Sequence, residues 1–134
     1  ISCKLNMGED VIKETGLKAK YIDIPKSRKT SREGTINAVK IFVKYNVSVI
    51  VFVGGDGTAR DVYQGLREAG RTNIPILGVP SGVKIYSGIF GITPEDSAYT
   101  LVEYLKGGAS VMDLEILDID EKAFREDRID IKLY

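Results

Sequence analysis

The sequence predicts an α/β fold, a mostly parallel sheet with helices in three layers, giving way near its end to a β-rich unit. Three observations predict it. An apolar, β-branched run over residues 47–53 ends in glycine and leads straight into a helix. Strand-like and helix-like stretches alternate from the start of the chain to about residue 110. After Val111 the pattern switches to alternating apolar and polar residues.

Taken in order, residues 8–15 read as a short helix and residues 21–24 as a strand ended by Pro25. Thr30 with Glu33 makes a capping box for a helix carrying Ile36, Ala38, Val39, Phe42 and Val43, stopped near Asn46. Residues 47–53 lack the alternation of a half-exposed strand, which predicts a parallel strand buried on both faces. Gly54, Gly55 and Gly57 follow, where backbone can turn at positive φ or lie against a ligand, and their amides can form an anion-binding nest. Thr58 then caps a helix over residues 58–69, with Asp61 completing an approximate capping box. Ala59, Val62, Tyr63, Leu66 and Ala69 form its buried stripe and Gly70 stops it. Residues 74–79 supply another buried strand. Thr93, Pro94 and Asp96 mark the next helix start, Leu101, Val102 and Leu105 its inner face, and Gly107-Gly108 its end. The successive β-α units imply right-handed crossovers.

Beyond Val111, strand-like spacing at Met112, Leu114, Ile116 and Ile119, a turn over residues 121–126, and alternation at Ile129, Ile131 and Leu133 predict a β-hairpin. The expected division is therefore residues 1–110 as an α/β unit and residues 111–134 as the opening of a β-rich one. Ile1 and a strand-like end at Tyr134 suggest a piece of a longer protein. Its first strand and most of its second unit would lie elsewhere, and the piece itself would be inactive.

Chemistry concentrates at Asp56. A carboxylate inside a glycine loop that favours anions repels phosphate unless it meets a cation or has chemistry to do. It can hold Mg²⁺ between itself and phosphates, or accept a proton from an attacking hydroxyl during phosphoryl transfer. The plainer alternative is an Asx-type turn in which the side chain caps nearby amides. Ser81 and Gly82, after the second strand, can present a hydroxyl or amides to the same ligand, and Lys84 and Arg60 can neutralise phosphate. A Walker A run is absent, and a dinucleotide fingerprint begun at Gly55 and Gly57 meets Arg60 where its third glycine belongs.

Composition narrows the classes. Lys plus Arg and Asp plus Glu each total 19, so bulk charge does not favour nucleic acid. The basic residues 26–32 are a local exception that can touch phosphate or simply form a solvated loop. Cys3 is the single cysteine, which argues against an internal disulfide and for a cytoplasmic setting. Histidine is absent, so acid-base work falls to carboxylates, Tyr, Lys or water. No apolar run is long enough for a membrane span.

The stretch Gly54-Gly55-Asp56-Gly57-Thr58-Ala59-Arg60-Asp61-Val62, followed by Gly78-Val79-Pro80-Ser81-Gly82-Val83-Lys84-Ile85-Tyr86-Ser87-Gly88, resembles the superfamily of NAD kinases, diacylglycerol and sphingosine kinases and phosphofructokinases. Within it the chain is most similar to ATP-NAD kinase-like proteins described as polyphosphate/ATP-dependent NAD kinases, some associated with acetoin catabolism. The resemblance implies a Rossmann-like nucleotide-binding domain followed by a mostly β domain, with the site between them. It implies ATP or polyphosphate as donor, Mg²⁺, and NAD as acceptor, with Asp56 activating the 2′-hydroxyl and Gly54, Gly55, Gly57 and Thr58 contacting phosphate. The partners expected are small nucleotides, and the intact protein is expected to self-associate, with no membrane or nucleic-acid partner. Pro80 stands where typical NAD kinases carry Asn, their Asn-Glu/Asp motif is absent, and Val83-Lys84-Ile85 breaks the lipid-kinase pattern. A lipid or sugar acceptor, or a regulator that binds nucleotide without catalysis, remain the alternatives.

Overall fold

The computed structural model describes residues 1–24, 30–82, 85–119 and 131–133. Strand β1 (Ser2–Cys3) pairs in parallel with β2 (Tyr21–Ile22), and the short helix α1 (Glu9–Thr15) connects them. Helix α2 (Arg32–Lys44) leads to β3 (Ile50–Gly54), α3 (Asp56–Glu68) and β4 (Ile76–Pro80), with β4 parallel to β3 and Phe52 opposite Gly78. Helix α4 (Pro94–Leu105) follows, and β5 (Leu117–Ile119) pairs antiparallel with β6 (Ile131–Leu133). The alternating pattern and parallel pairs are those of an α/β fold.

The core lies between β3, α2 and α3. Val39 and Val43 of α2, Ile50 and Phe52 of β3, and Ala59, Val62 and Leu66 of α3 are buried together with Ile74, Ile89 and Ile116. Gly65 permits the two helices to close, because a Cβ there would stand 2.8 Å from Val39 Cβ and 3.0 Å from Ile36 O. Cys3, Ile22 and Ala38 form a second small cluster, and Phe42 packs against both.

Local starts and stops follow the side chains that satisfy them. Ser31, not Thr30, caps α2, its hydroxyl accepting from the Gly34 amide at 3.1 Å. Adjacent hydroxyl residues are equivalent as caps on paper, and the backbone selects the one whose oxygen reaches the first turn. Asn46 ends the turn beyond α2 at φ 51°, as its position predicts. Thr93 and Asp96 form the expected reciprocal capping box of α4. Gly70 closes α3 at φ 66°, with the Arg71 amide reaching back to Leu66 O at 3.0 Å.

Three further expectations are corrected. Strand β3 is not buried on both faces, since Val51 and Val53 are 40% and 67% exposed while Ile50 and Phe52 are buried. Among the described residues helices cover one face of β3 and leave the other open. Helix α3 begins at Asp56, two residues before the predicted start, and its N-cap Gly55 has no side-chain hydrogen bond, so no Thr58–Asp61 box forms. In α4 the predicted inner face holds at one position of three: Leu101 is half-buried, Val102 and Leu105 are exposed, and Ser97 is the buried residue. Gly91 meets Ser97 so closely that the helix is fixed at its first turn, where Ser97 Oγ donates to Gly78 O.

After α4 the chain returns to the first core, burying Ile116 beside α3 residues, while Met112 and Leu114 remain exposed. The predicted turn at residues 121–126, Pro25, and basic residues 26–29 lie outside the described residues.

Candidate functional site

The site is built where two strand ends meet. Strand β3 delivers Gly54, and the backbone turns through Gly55, in extended conformation at φ −122°, into the first turn of α3. None of the three loop glycines has positive φ. Their reasons differ. A Cβ on Gly54 would fall 2.4 Å from Thr58 Oγ1, so that glycine makes room for the threonine within the chain. A Cβ on Gly57 would meet nothing within 4 Å and would project into open space. The first intrahelical bond is given by the Ala59 amide to Gly55 O at 3.0 Å, which leaves the preceding first-turn amides facing the end of the helix.

The second strand end is tied to the first. The Ser81 amide donates to Gly54 O at 2.9 Å, extending the β3–β4 ladder and tying exposed Ser81 to the start of the glycine turn. Gly82, also exposed, adopts φ +112°, a conformation that favours glycine. Lys84 lies outside the described residues. The chain then comes back alongside β4, with Gly78 donating to Ile89 O and accepting from the Gly91 amide. Phe90 meets Phe52 edge-on with ring centroids 5.5 Å apart, and its ring occupies the space over bare Gly78.

Asp56 joins the two loops. It is 8% exposed at the first position of α3. Its Oδ2 accepts from the Tyr86 amide at 2.8 Å, and Oδ1 accepts from the Ser87 amide at 3.0 Å and from the Ser87 hydroxyl. An ionised carboxylate offers about four lone-pair positions. Among the described residues Oδ1 is therefore filled, and Oδ2 keeps one open. The capping role weighed from the sequence exists, but it reaches the loop 30 residues away instead of the nearest amides. Ser87 Oγ also accepts from the Leu117 amide at 2.9 Å, which connects Asp56 to β5.

Sequence reasoning did not identify Ser87, the Tyr86 amide or Leu117 as partners of Asp56. The available signal was the presence of Tyr86 and Ser87 inside the second motif, at a distance that no local periodicity relates to residue 56. Arg60 donates to Asp61 at 3.3 Å, and Asp61 also receives Arg32 Nε at 3.1 Å. Asp61 is thus a buried acceptor between α2 and α3, where the sequence suggested only a helix-end residue. Arg32, Arg60, Tyr63, Gln64, Arg67 and Glu68 line an open groove of about 450 Å³ along α3.

Among the described residues no group of three or more His, Cys, Asp or Glu side chains could hold a metal ion. Asp56 provides one open carboxylate position, which fits Mg²⁺ only when phosphate oxygens complete its ligands. No described helix is long and apolar enough to cross a membrane.

No curated protein and no solved structure matches the chain. Residues 2–109, from β1 through α4 and including Asp56, Tyr86 and Ser87, match the ATP-NAD kinase N-terminal domain, and the chain belongs to that family.

Proposed function

We propose that the intact protein is a phosphotransferase that moves a phosphoryl group from ATP or inorganic polyphosphate to the 2′-hydroxyl of NAD, forming NADP. Family membership supports kinase chemistry, and the observation that carries the site is the acceptor position on Asp56 Oδ2 that no described residue fills, next to a Gly57 whose Cβ position is open. In the proposed step the acceptor hydroxyl gives its proton to Asp56 Oδ2 while its oxygen bonds to phosphorus. The bond from that phosphorus to the donor's bridging oxygen breaks, and the shortened donor leaves with the electron pair. The amides of the first turn of α3 face phosphate oxygens, and Gly54, Gly55, Gly57, Thr58, Ser81 and Gly82 border the ligand. Lys84 and Arg60 add positive charge from the loop and helix. Mg²⁺ would be held by the donor's phosphate oxygens and would supply charge neutralisation there; holding it with Asp56 is the alternative to the base role, since one open carboxylate position cannot serve both.

The proposal includes a division near residue 110 and a site completed by the β-rich unit, with the intact protein acting as an oligomer. It also includes the three-layer, Rossmann-like form of the nucleotide domain. A second reading rests on the three hydrogen bonds already held by Asp56, which suit a nucleotide-binding regulator whose carboxylate only clamps the loop.

The test is product formation by the intact protein with ATP or polyphosphate crossed against NAD, NADH, diacylglycerol and sugar phosphates. NADP should form, and Asp56→Asn should reduce its rate by about 10²-fold or more, the usual reach of general-base catalysis. Asparagine turns one acceptor toward the Tyr86 amide into a donor, so thermal stability is measured on the same samples. An unchanged rate overturns the base assignment. Product only with lipid or sugar overturns NAD, and nucleotide binding with no product in any combination leaves the regulator.

A further inference from the structure

Ser87 is 5% exposed and its hydroxyl has a single proton. The Leu117 amide can only donate to that oxygen, so the hydroxyl proton is directed to Asp56 Oδ1. Its own amide donates to the same Oδ1 at 3.0 Å, while the Tyr86 amide occupies one position on Oδ2. The two carboxylate oxygens are thereby made unequal.

We infer that Ser87 is a positioning residue for phosphoryl transfer: its hydroxyl, oriented by Leu117, fills Asp56 Oδ1 and leaves Oδ2 as the atom that receives the acceptor's proton. The inference rests on the reading of Asp56 as a base. Its physical basis is rotational. An aspartate on the first turn of a helix can swing about its terminal torsion, and a carboxylate held at one oxygen by two donors from one residue cannot exchange its oxygens without breaking both. Because Leu117 opens β5, the segment after α4 sets the orientation of a side chain on α3. The sequence separation of Ser87 from both partners is 30 or 31 residues, so this coupling is a product of the fold.

The experiment uses the intact protein with ATP, Mg²⁺ and NAD, and compares Ser87→Ala with Ser87→Thr in steady-state kinetics and in amide hydrogen exchange at Tyr86 and Leu117. Ser87→Ala should lower kcat by about tenfold, the size of one lost hydrogen bond to a charged group, while KM changes less than about twofold. Exchange at Leu117 should accelerate by about tenfold, because its amide loses its acceptor. Ser87→Thr should recover both. If threonine prevents folding, Ser87→Cys, a weak donor, should give intermediate values.

An unchanged kcat in Ser87→Ala overturns the inference. So does a loss in which KM and kcat move together and threonine does not recover them, since that is packing damage. If the wild-type protein forms no NADP, the NAD-kinase reading fails separately, and exchange decides the coupling. Faster Leu117 exchange in Asp56→Ala then upholds the connection through Ser87, and unaltered exchange overturns it.

Discussion

Helices α3 and α4 are nearly equal in length and both follow a strand of the parallel pair, yet they are held differently. Helix α3 buries Asp56, Ala59, Asp61, Val62, Gly65 and Leu66 along its whole length, while α4 buries Ser97. Tyr99, Val102 and Leu105 of α4 are 68%, 44% and 65% exposed. The cause is the number of close approaches. Gly65 brings α3 against α2 at its middle, and Asp61 gathers Arg32 and Arg60 one turn earlier. Helix α4 has its tight contact at its first turn, between Gly91 and Ser97. Apolar periodicity states which face a helix can bury, and close approach decides whether it does. The first turn that carries Asp56 belongs to the better-held helix, which suits a site that must keep its geometry.

The largest expected effect tests that contrast in stability. Leu66 is 1% exposed, and Leu66→Ala should destabilise the fold by about 2–5 kcal/mol through lost transfer energy and the cavity left behind. Leu105→Ala should change it by less than about 0.5 kcal/mol, as for other exposed sites. Chemical denaturation of the two variants measures both. Equal losses would break the comparison and show that α4 is covered in solution.

Two glycines of α3 sharpen the comparison at a smaller scale. Gly65→Ala drives a Cβ into Val39 and the Ile36 carbonyl, and should cost about 1–3 kcal/mol despite alanine's better helix propensity. Gly57→Ala enters open space and should leave stability unchanged or raise it by up to about 1 kcal/mol. Under the proposed function the same change should weaken binding of ATP by about tenfold, roughly one lost close contact. Denaturation and nucleotide titration separate the two glycines, one required by packing and one by a ligand. Unaltered ATP affinity in Gly57→Ala would remove that loop face from the site.

These residues also show what the sequence could convey. The Thr93–Asp96 box and the glycine ends of α3 and α4 are local devices, satisfied within a few residues, and all were legible. The partners of Asp56 were not, because Ser87 and Leu117 reach it through the return of the chain beside β4 and α3. Val51 and Val53 misled for a related reason. A β-branched run specifies a strand, but which faces are covered depends on elements elsewhere in the chain. Asp56 stood out in the sequence as a carboxylate inside a glycine loop, whereas the inequality of its two oxygens required the fold.

The smallest expected effect concerns another link that holds α3 to α2. Lys40 Nζ donates to Glu68 Oε2 at 3.0 Å, and Gln64 Nε2 donates to Oε1 at the same distance. The Lys40 hydrogen bond, followed by that from Gln64, lowers the Glu68 pKa from its ordinary 4.5. A carboxyl with a lowered folded pKa contributes stability that is present above its unfolded pKa and is lost as pH falls through the folded value. The wild-type advantage in Tm over Glu68→Gln should therefore exist at about pH 6 and be lost as pH falls below 4.5 through the lowered folded pKa, shrinking further in high salt because the pair is exposed. Glutamine still accepts from Gln64, so that hydrogen bond remains in both proteins and cancels from the difference. A Tm gap that persists unchanged at acidic pH would assign the effect of residue 68 to packing on α2, making even the rim of the α2–α3 interface a contact of shape instead of charge.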